Sequence, residues 1–435
     1  MKHSAIILFM LAFIFSAQAQ DDIVPAALND TTYVLQNGTV HIGNGKVLTK
    51  ATVIIHKGKI GQVTTEDLMF TQTTLVKYIN AAGKHIYPGL ILPDSDLGLK
   101  EIGAAVRGTN DYYEIGELNP SVRSIIAYNT ESKVTNTLRS NGILLACVTP
   151  QGGYISGSSS IVQLDAWNYE DAAYKIDNGM HINLPSLLVR QGGGRRGAEP
   201  QGDALKAALD KIDEIKSFFR EAKAYLNEST HTVTNLKLEG VKNLYNKKQK
   251  LFVHCNLVKE MLVAIDFAKE FNFDVVIVGG NDSWQIADLL KQNNIAVVLN
   301  PMHNLPQTQD DNIDQPYKTP YALQKAGVLF CINDDHGESR YRNLPFNAGT
   351  AAAYGLTKEE ALQSITLKTA KILGIDNITG SIETGKDANI IISDGDILDM
   401  RSNNVTMAFI QGRNIDLNNK QTQLYNKYKN KPASN

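Results

Sequence analysis

Residues 251–299 read LFVHCNLVKEMLVAIDFAKEFNFDVVIVGGNDSWQIADLLKQNNIAVVL, and this stretch decides the fold class. Apolar runs of strand length stand at 251–255, 275–278 and 295–299, each apolar at consecutive positions, as strands covered on both faces require. Between the first two runs, Met261, Leu262, Ile265 and Ala268 recur at helical spacing across 258–271. Between the second and third, Trp284, Ala287 and Leu290 do the same across 283–292. Strand, helix, strand, helix, strand predicts parallel strands joined by crossover helices, the unit of a (β/α)8 barrel or a doubly wound sheet. Outward from this core, 142–148 and 328–332 have the same strand character, and 203–227 reads as a further helix.

The two ends have a different rhythm. TVHIGNGKVL and ATVIIHKGKIGQV alternate around the hairpin signals Asn44-Gly45 and Lys57-Gly58, and NIIISDGD with NVTMAFIQGRNI repeats the pattern near the C-terminus. Both ends therefore predict one small β domain. The first residues have another logic: Lys2, an apolar run over 5–15, then Ala17-Gln18-Ala19, the order of a cleaved secretory signal. Residues 1–19 are expected to be removed, leaving a periplasmic or extracellular product, since no later run is long enough to span a bilayer.

The 435 residues are 43% apolar and 20% charged, enough for a large core. A formal charge of -2, with no basic run beyond short pairs such as Arg195-Arg196, excludes a general affinity for nucleic acid. Cys147, Cys255 and Cys331 each sit in an apolar run and predict buried thiols rather than a disulfide framework. The Gly-rich segment 191–202, QGGGRRGAEPQG, lacks the pattern of a phosphate-cradling loop and reads as a surface loop at a barrel rim.

Three segments together resemble the amidohydrolase superfamily, in particular its imidazolonepropionase-like and prolidase-like exported branch. GNGKVLTKATVIIHKGKIGQV leading to AAGKHIYPGLILPDSDLGL resembles the family's entry into barrel strand 1. YGLTKEEALQSITLKTAKILGI resembles the helical pair near its end, and GSIETGKDANIIISDGD the return to the terminal sheet. The resemblance implies a (β/α)8 barrel over 86–375 and a β-sandwich built from 20–85 and 376–435. It also implies one or two divalent metals at the carboxyl ends of the strands, which activate water for attack on a carbonyl.

Only part of the family's ligand set is present. Where strand 1 normally carries H-x-H, the chain has PGLILPDSD, with Asp94 and Asp96 at the two positions. His254 in LFVHCN matches the strand 5 histidine, and Gly279 stands where strand 6 normally offers another. Asp335 in INDDHG takes the place of the strand 8 aspartate, with Asp334 the neighbouring alternative and His336 adjacent. The strand 4 ligand has no counterpart: HINLPS, residues 181–186, offers neither carboxylate nor lysine.

Two arrangements follow. In one, Asp94, Asp96, His254 and Asp335 gather on a single divalent ion, Zn, Mn or Fe, the extended chain pointing Asp94 and Asp96 the same way. In the other the metal is lost and the aspartates are ordinary polar residues. His303, Arg340 and Arg342 are the candidate substrate contacts, the arginines as clamps for a carboxylate, against a plain role in surface pairing with Glu338. The function implied is hydrolysis of a C–N bond in a small or peptide-like substrate, with Asp335 and His254 catalytic. A barrel used for binding or assembly in the cell envelope, and hydrolysis without metal, are the alternatives. Oligomers are common in the superfamily, so a homo-oligomer is compatible with the resemblance.

Overall fold

The computed structural model describes residues 24–431, apart from 29, 67–74, 102–109, 189–201, 307–309, 336 and 338–339. The signal segment and most of the Gly-rich loop therefore lie outside the described residues. Five strands come first: β1 (Thr32–His41), β2 (Val47–His56), β3 (Lys59–Thr64), β4 (Val76–Asn80) and β5 (His85–Pro88). Eight more form the central sheet: β6 (Leu90–Ser95), β7 (Ile143–Val148), β8 (Ile155–Gln163), β9 (Ala173–Asn183), β10 (Lys250–Cys255), β11 (Val275–Gly279), β12 (Ala296–Leu299) and β13 (Phe330–Ile332). Three close the chain: β14 (Ile390–Ser393), β15 (Val405–Ile410) and β16 (Arg413–Ile415).

The central strands pair in chain order from β6 to β13 and form a TIM-like barrel. The helices Val258–Phe271 and Ala287–Gln292 cross between parallel neighbours where the periodicity predicts them. Side chains of alternate parity divide the apolar residues. Ile91, Leu145, Cys147, Phe252, Val276 and Val298 pack together inside the ring. Leu92, Ala146, Val253, Ile277 and Val297 pack outward against the helices. The edge between β13 and β6 has no strand pairing; there the Ile91 N–H donates to the Ile365 carbonyl at 3.0 Å. The helix Leu367–Leu373 follows, with Ala370, Ile372 and Leu373 sealing the interior.

One strand departs from the expected all-parallel ring. β8 runs antiparallel to both β7 and β9, so β7, β8 and β9 form a meander in place of two crossover units. Its sequence, ISGSSSIVQ, is rich in serine, yet all nine residues are buried.

The strands from both chain ends share a second eight-stranded sheet, ordered β16-β15-β14-β5-β1-β2-β3 with β4 beside β1. β5 runs straight into β6 through Gly89, so this sheet and the barrel are mechanically joined. A buried ion cluster adds a second joint. Arg413 of β16 and Arg139 of the helix Lys133–Ser140 both bind the Asp165 carboxylate, whose side chain is wholly inaccessible. Arg413 also donates to Gln163 Oε1 and to the Asp165 carbonyl, both at 3.0 Å. Removing one member of such a buried group leaves the others uncompensated. Asp165→Asn is expected to lower unfolding stability by about 3–5 kcal/mol, measured as a shift in denaturant midpoint at unchanged slope.

Candidate metal centre

Backbone pairing delivers the first two functional side chains. On β9 and β10, Ile182 lies opposite Val253 and Asn183 opposite His254, while His181 is opposite Phe252. The His181 and Phe252 rings stack with centroids 4.8 Å apart and planes 8° from parallel. Residues two apart share a face, so His181 lies two residue pairs deeper in the barrel than His254. Their rings meet diagonally: His181 Nδ1 is 2.8 Å from His254 Nε2.

Asp94 enters from β6. One ligand atom each from Asp94, His181 and His254 lies within 4.8 Å of the other two, and this is the one such group among the described residues. His181 is completely buried, Asp94 nearly so and His254 half-buried. Burial, and then the neighbouring His254, hold His181 well below the usual histidine range, so its imidazole is neutral and keeps a lone pair. Asp94 Oδ1 is buried without any hydrogen-bond partner among the described residues. A buried carboxylate oxygen in that state is costly unless a cation or donor compensates it. Two imidazole nitrogens and a carboxylate oxygen are a fitting donor set for one divalent ion.

An open cleft of about 300 Å³ meets this group at His254 and is also lined by Asn183, Ser186, Asn256, Asn300 and Asp335 among others. Gly279 also lines it and explains the missing strand 6 histidine. Its φ is +103°, and a Cβ there would sit 2.5 Å from Asn256 Oδ1 and 2.8 Å from the Cys255 carbonyl. No larger residue fits without rearrangement. The Asn256 amide fills that space, held by Asn300 Nδ2 at 2.9 Å, which donates equally to Asn281 Oδ1.

The comparisons with known proteins agree with this fold. Residues 211–415 match the amidohydrolase family. The chain is 24% identical over 369 residues to the imidazolonepropionase of Thermoplasma volcanium, covering 80% of this chain and 84% of the relative. Together these matches support an amidohydrolase superfamily member. With the imidazolonepropionase of Picrophilus torridus it shares 27% identity over 195 residues, 44% of this chain and 45% of that relative, so that match spans less than half of either. Among solved structures, an amidohydrolase from Thermotoga maritima is similar in fold, with a TM-score of 0.75 at 23% identity, covering 88% of this chain and 99% of the other. A prolidase complexed with n-methylphosphonate-L-proline gives a TM-score of 0.54 at 15% identity, covering 89% and 100%.

Against the superfamily pattern, the structure brings together Asp94 and His254 of the expected ligands and adds His181. Asp96 is not in the group. The β6–β7 pairing shifts register between Leu92 and Ser95, which breaks the strict alternation that would have aimed Asp94 and Asp96 alike. The Asp96 carboxylate instead accepts from the Tyr341 hydroxyl and lies 3.9 Å from Lys100 Nζ. Asp335 is exposed in the cleft beside His254 but outside the group, whereas Asp334 is buried and accepts from Asn347 Nδ2 at 3.0 Å. His303, Arg340 and Arg342 are exposed and do not line the cleft; His303 Nε2 is 2.8 Å from Thr350 Oγ1. His336 and Glu338 lie outside the described residues.

Sequence reasoning misses His181 because the strand 4 ligand that the resemblance implies is a carboxylate or lysine, and HINLPS offers neither. Its signal is its phase, in register with Phe252 and two residue pairs below His254. Titration calorimetry with Zn²⁺ and Mn²⁺ should give one ion per chain for the wild type and none detectable for His181→Ala or His254→Ala. Asp96→Asn should leave the affinity unchanged; a loss there equal to that of His254→Ala would contradict this ligand set.

Proposed function

We propose that the protein is an exported hydrolase of a C–N bond in a small amide, cyclic amide or peptide-like substrate, working with one divalent ion, Zn, Mn or Fe. The observation that carries this reading is the buried Asp94 oxygen, without a hydrogen-bond partner among the described residues, beside two histidine nitrogens, one of which, from His254, lines an open cleft. Asp94, His181 and His254 would hold the ion. Bound there, a divalent ion supplies Lewis acidity toward water and a carbonyl oxygen near neutral pH.

The remaining work falls to the chain's own groups. Asp335, which is exposed and lines the same cleft as His254, would take a proton from the attacking water and return it to the departing nitrogen. Asn183, Asn256 and Asn300 offer amide donors and acceptors that orient a polar, uncharged part of a substrate. The relatives support a small nitrogen-containing substrate. Besides the imidazolonepropionases, the chain is 22% identical over 371 residues to a 5′-deoxyadenosine deaminase of Methanobrevibacter smithii. Export rests on the order Lys2, apolar run, Ala17-Gln18-Ala19. No helix among the described residues is long and apolar enough to cross a membrane. The end sheet, with strands from both chain termini, would be the superfamily's flanking β-sandwich.

Protein loaded with Zn²⁺ or Mn²⁺ should hydrolyse at least one of a cyclic ureide, an N-acyl amino acid and a dipeptide. Asp335→Asn should reduce that turnover by about 10²- to 10⁴-fold while the ion stoichiometry stays at the wild-type value. Stoichiometric ion with no turnover across the three classes would favour a binding role for the barrel, and a fully active Asp335→Asn enzyme would remove the proton-transfer role. Sequencing of the secreted product should find an N-terminus near Gln20.

A further inference from the structure

The antiparallel strand β8 and the irregularity beside it place a buried polar chain under His181. Ser159 of β8 pairs with Gly179 and Ile161 with Lys175, so β9 spends four residues where β8 spends two. Such a bulge re-aims side chains. Asp177 sits in it at φ +50°, its N–H tied to Ser160 Oγ at 3.0 Å. The adjoining Asn178 turns into the interior, where its Oδ1 is 3.1 Å from Ser159 Oγ. On the other side Ser159 Oγ is 2.9 Å from His181 Nε2.

Proton counting fixes the direction of this chain. A serine hydroxyl has one proton to donate. Within its reach are two carbonyl oxygens that can only accept, Asn178 Oδ1 at 3.1 Å and the Gly179 carbonyl at 3.3 Å. The hydroxyl donates to these and accepts from the ring. The Asn178 amide is held in this sense by the Cys147 thiol, which donates to Oδ1 with Sγ 3.7 Å away. Ser159 and His181 are fully inaccessible and Asn178 almost so, so water cannot substitute for either partner.

We infer that Ser159 and Asn178 are positioning residues that hold His181 as the Nε2–H tautomer, directing the Nδ1 lone pair toward Asp94 and His254. The opposite tautomer would aim an N–H at the space between the ligands. Partners behind a metal-ligating histidine ordinarily orient it in this way. Here the partner is a neutral hydroxyl delivered by the antiparallel strand. This rests on the proposed single-ion site, but the tautomer itself is defined without any ion.

The test uses full-length protein with ¹⁵N-labelled histidine, His181 being assigned from the resonances lost in His181→Gln. Long-range ¹H–¹⁵N spectra of ion-free wild type should show His181 protonated at Nε2. Ser159→Ala should lose that preference and weaken Zn²⁺ binding by about 10- to 100-fold, with Ser159→Thr restoring both. An Nδ1–H tautomer in the wild type, or wild-type Zn²⁺ affinity in a folded Ser159→Ala, overturns the inference. Nε2–H in a wild-type protein that binds no Zn²⁺ or Mn²⁺ would uphold the tautomer and overturn the ion site instead.

Discussion

A single carboxylate oxygen with nothing to bind organises the functional half of this molecule. Asp94 Oδ1 is enclosed by protein, and no donor among the described residues reaches it. Proteins rarely leave a buried acceptor unmatched, because the lost hydration is not recovered. Here the neighbours are two imidazole nitrogens 2.8 Å apart, which offer lone pairs as readily as protons. The three groups come from β6, β9 and β10, separated by long stretches of chain, and only ring closure brings them together. The barrel's rigidity is therefore a condition of the site.

The surrounding structure reads as a rebuilding of the superfamily's site with fewer charged ligands. On β11, a glycine with positive φ gives its side-chain space to the Asn256 amide, which Asn300 and Asn281 hold in turn. On β9, a histidine stands deeper than the strand's end and leans on Phe252. Between β7 and β9, the antiparallel strand brings hydroxyls to the interior where a crossover unit would bring a helix outside. The cleft is lined by amides, with Asp335 as its exposed carboxylate.

How much of this was legible in the chain depends on how local the cause is. The strands at 251–255 and 275–278 and the helix Val258–Phe271 follow from side-chain periodicity alone, and the structure places them within a residue of expectation. β8 was not legible, since ISGSSSIVQ becomes a strand only because β7 and β9 satisfy its backbone on both sides and cover it. The pairing of Asp94 with Asp96 failed for a similar reason: a register shift between β6 and β7 is a property of two strands, invisible in either one. Position 279 was correctly read as lacking a ligand, but the physical reason, the Asn256 amide in its place, needed coordinates. Arg340 and Arg342 lie near the site in sequence order, yet neither lines the cleft, because nearness along the chain does not fix side-chain direction.

The central claim, that one ion is held by Asp94, His181 and His254, meets its most direct test in crystals of protein purified without tag or chelator. Anomalous difference maps collected above and below the absorption edges of zinc, manganese and iron should place one peak within bonding distance of Asp94 Oδ1, His181 Nδ1 and His254 Nε2. A peak bonded to Asp96 and Asp335 without His181, or a map in which Asp94 Oδ1 accepts a hydrogen bond from a protein donor, would contradict it.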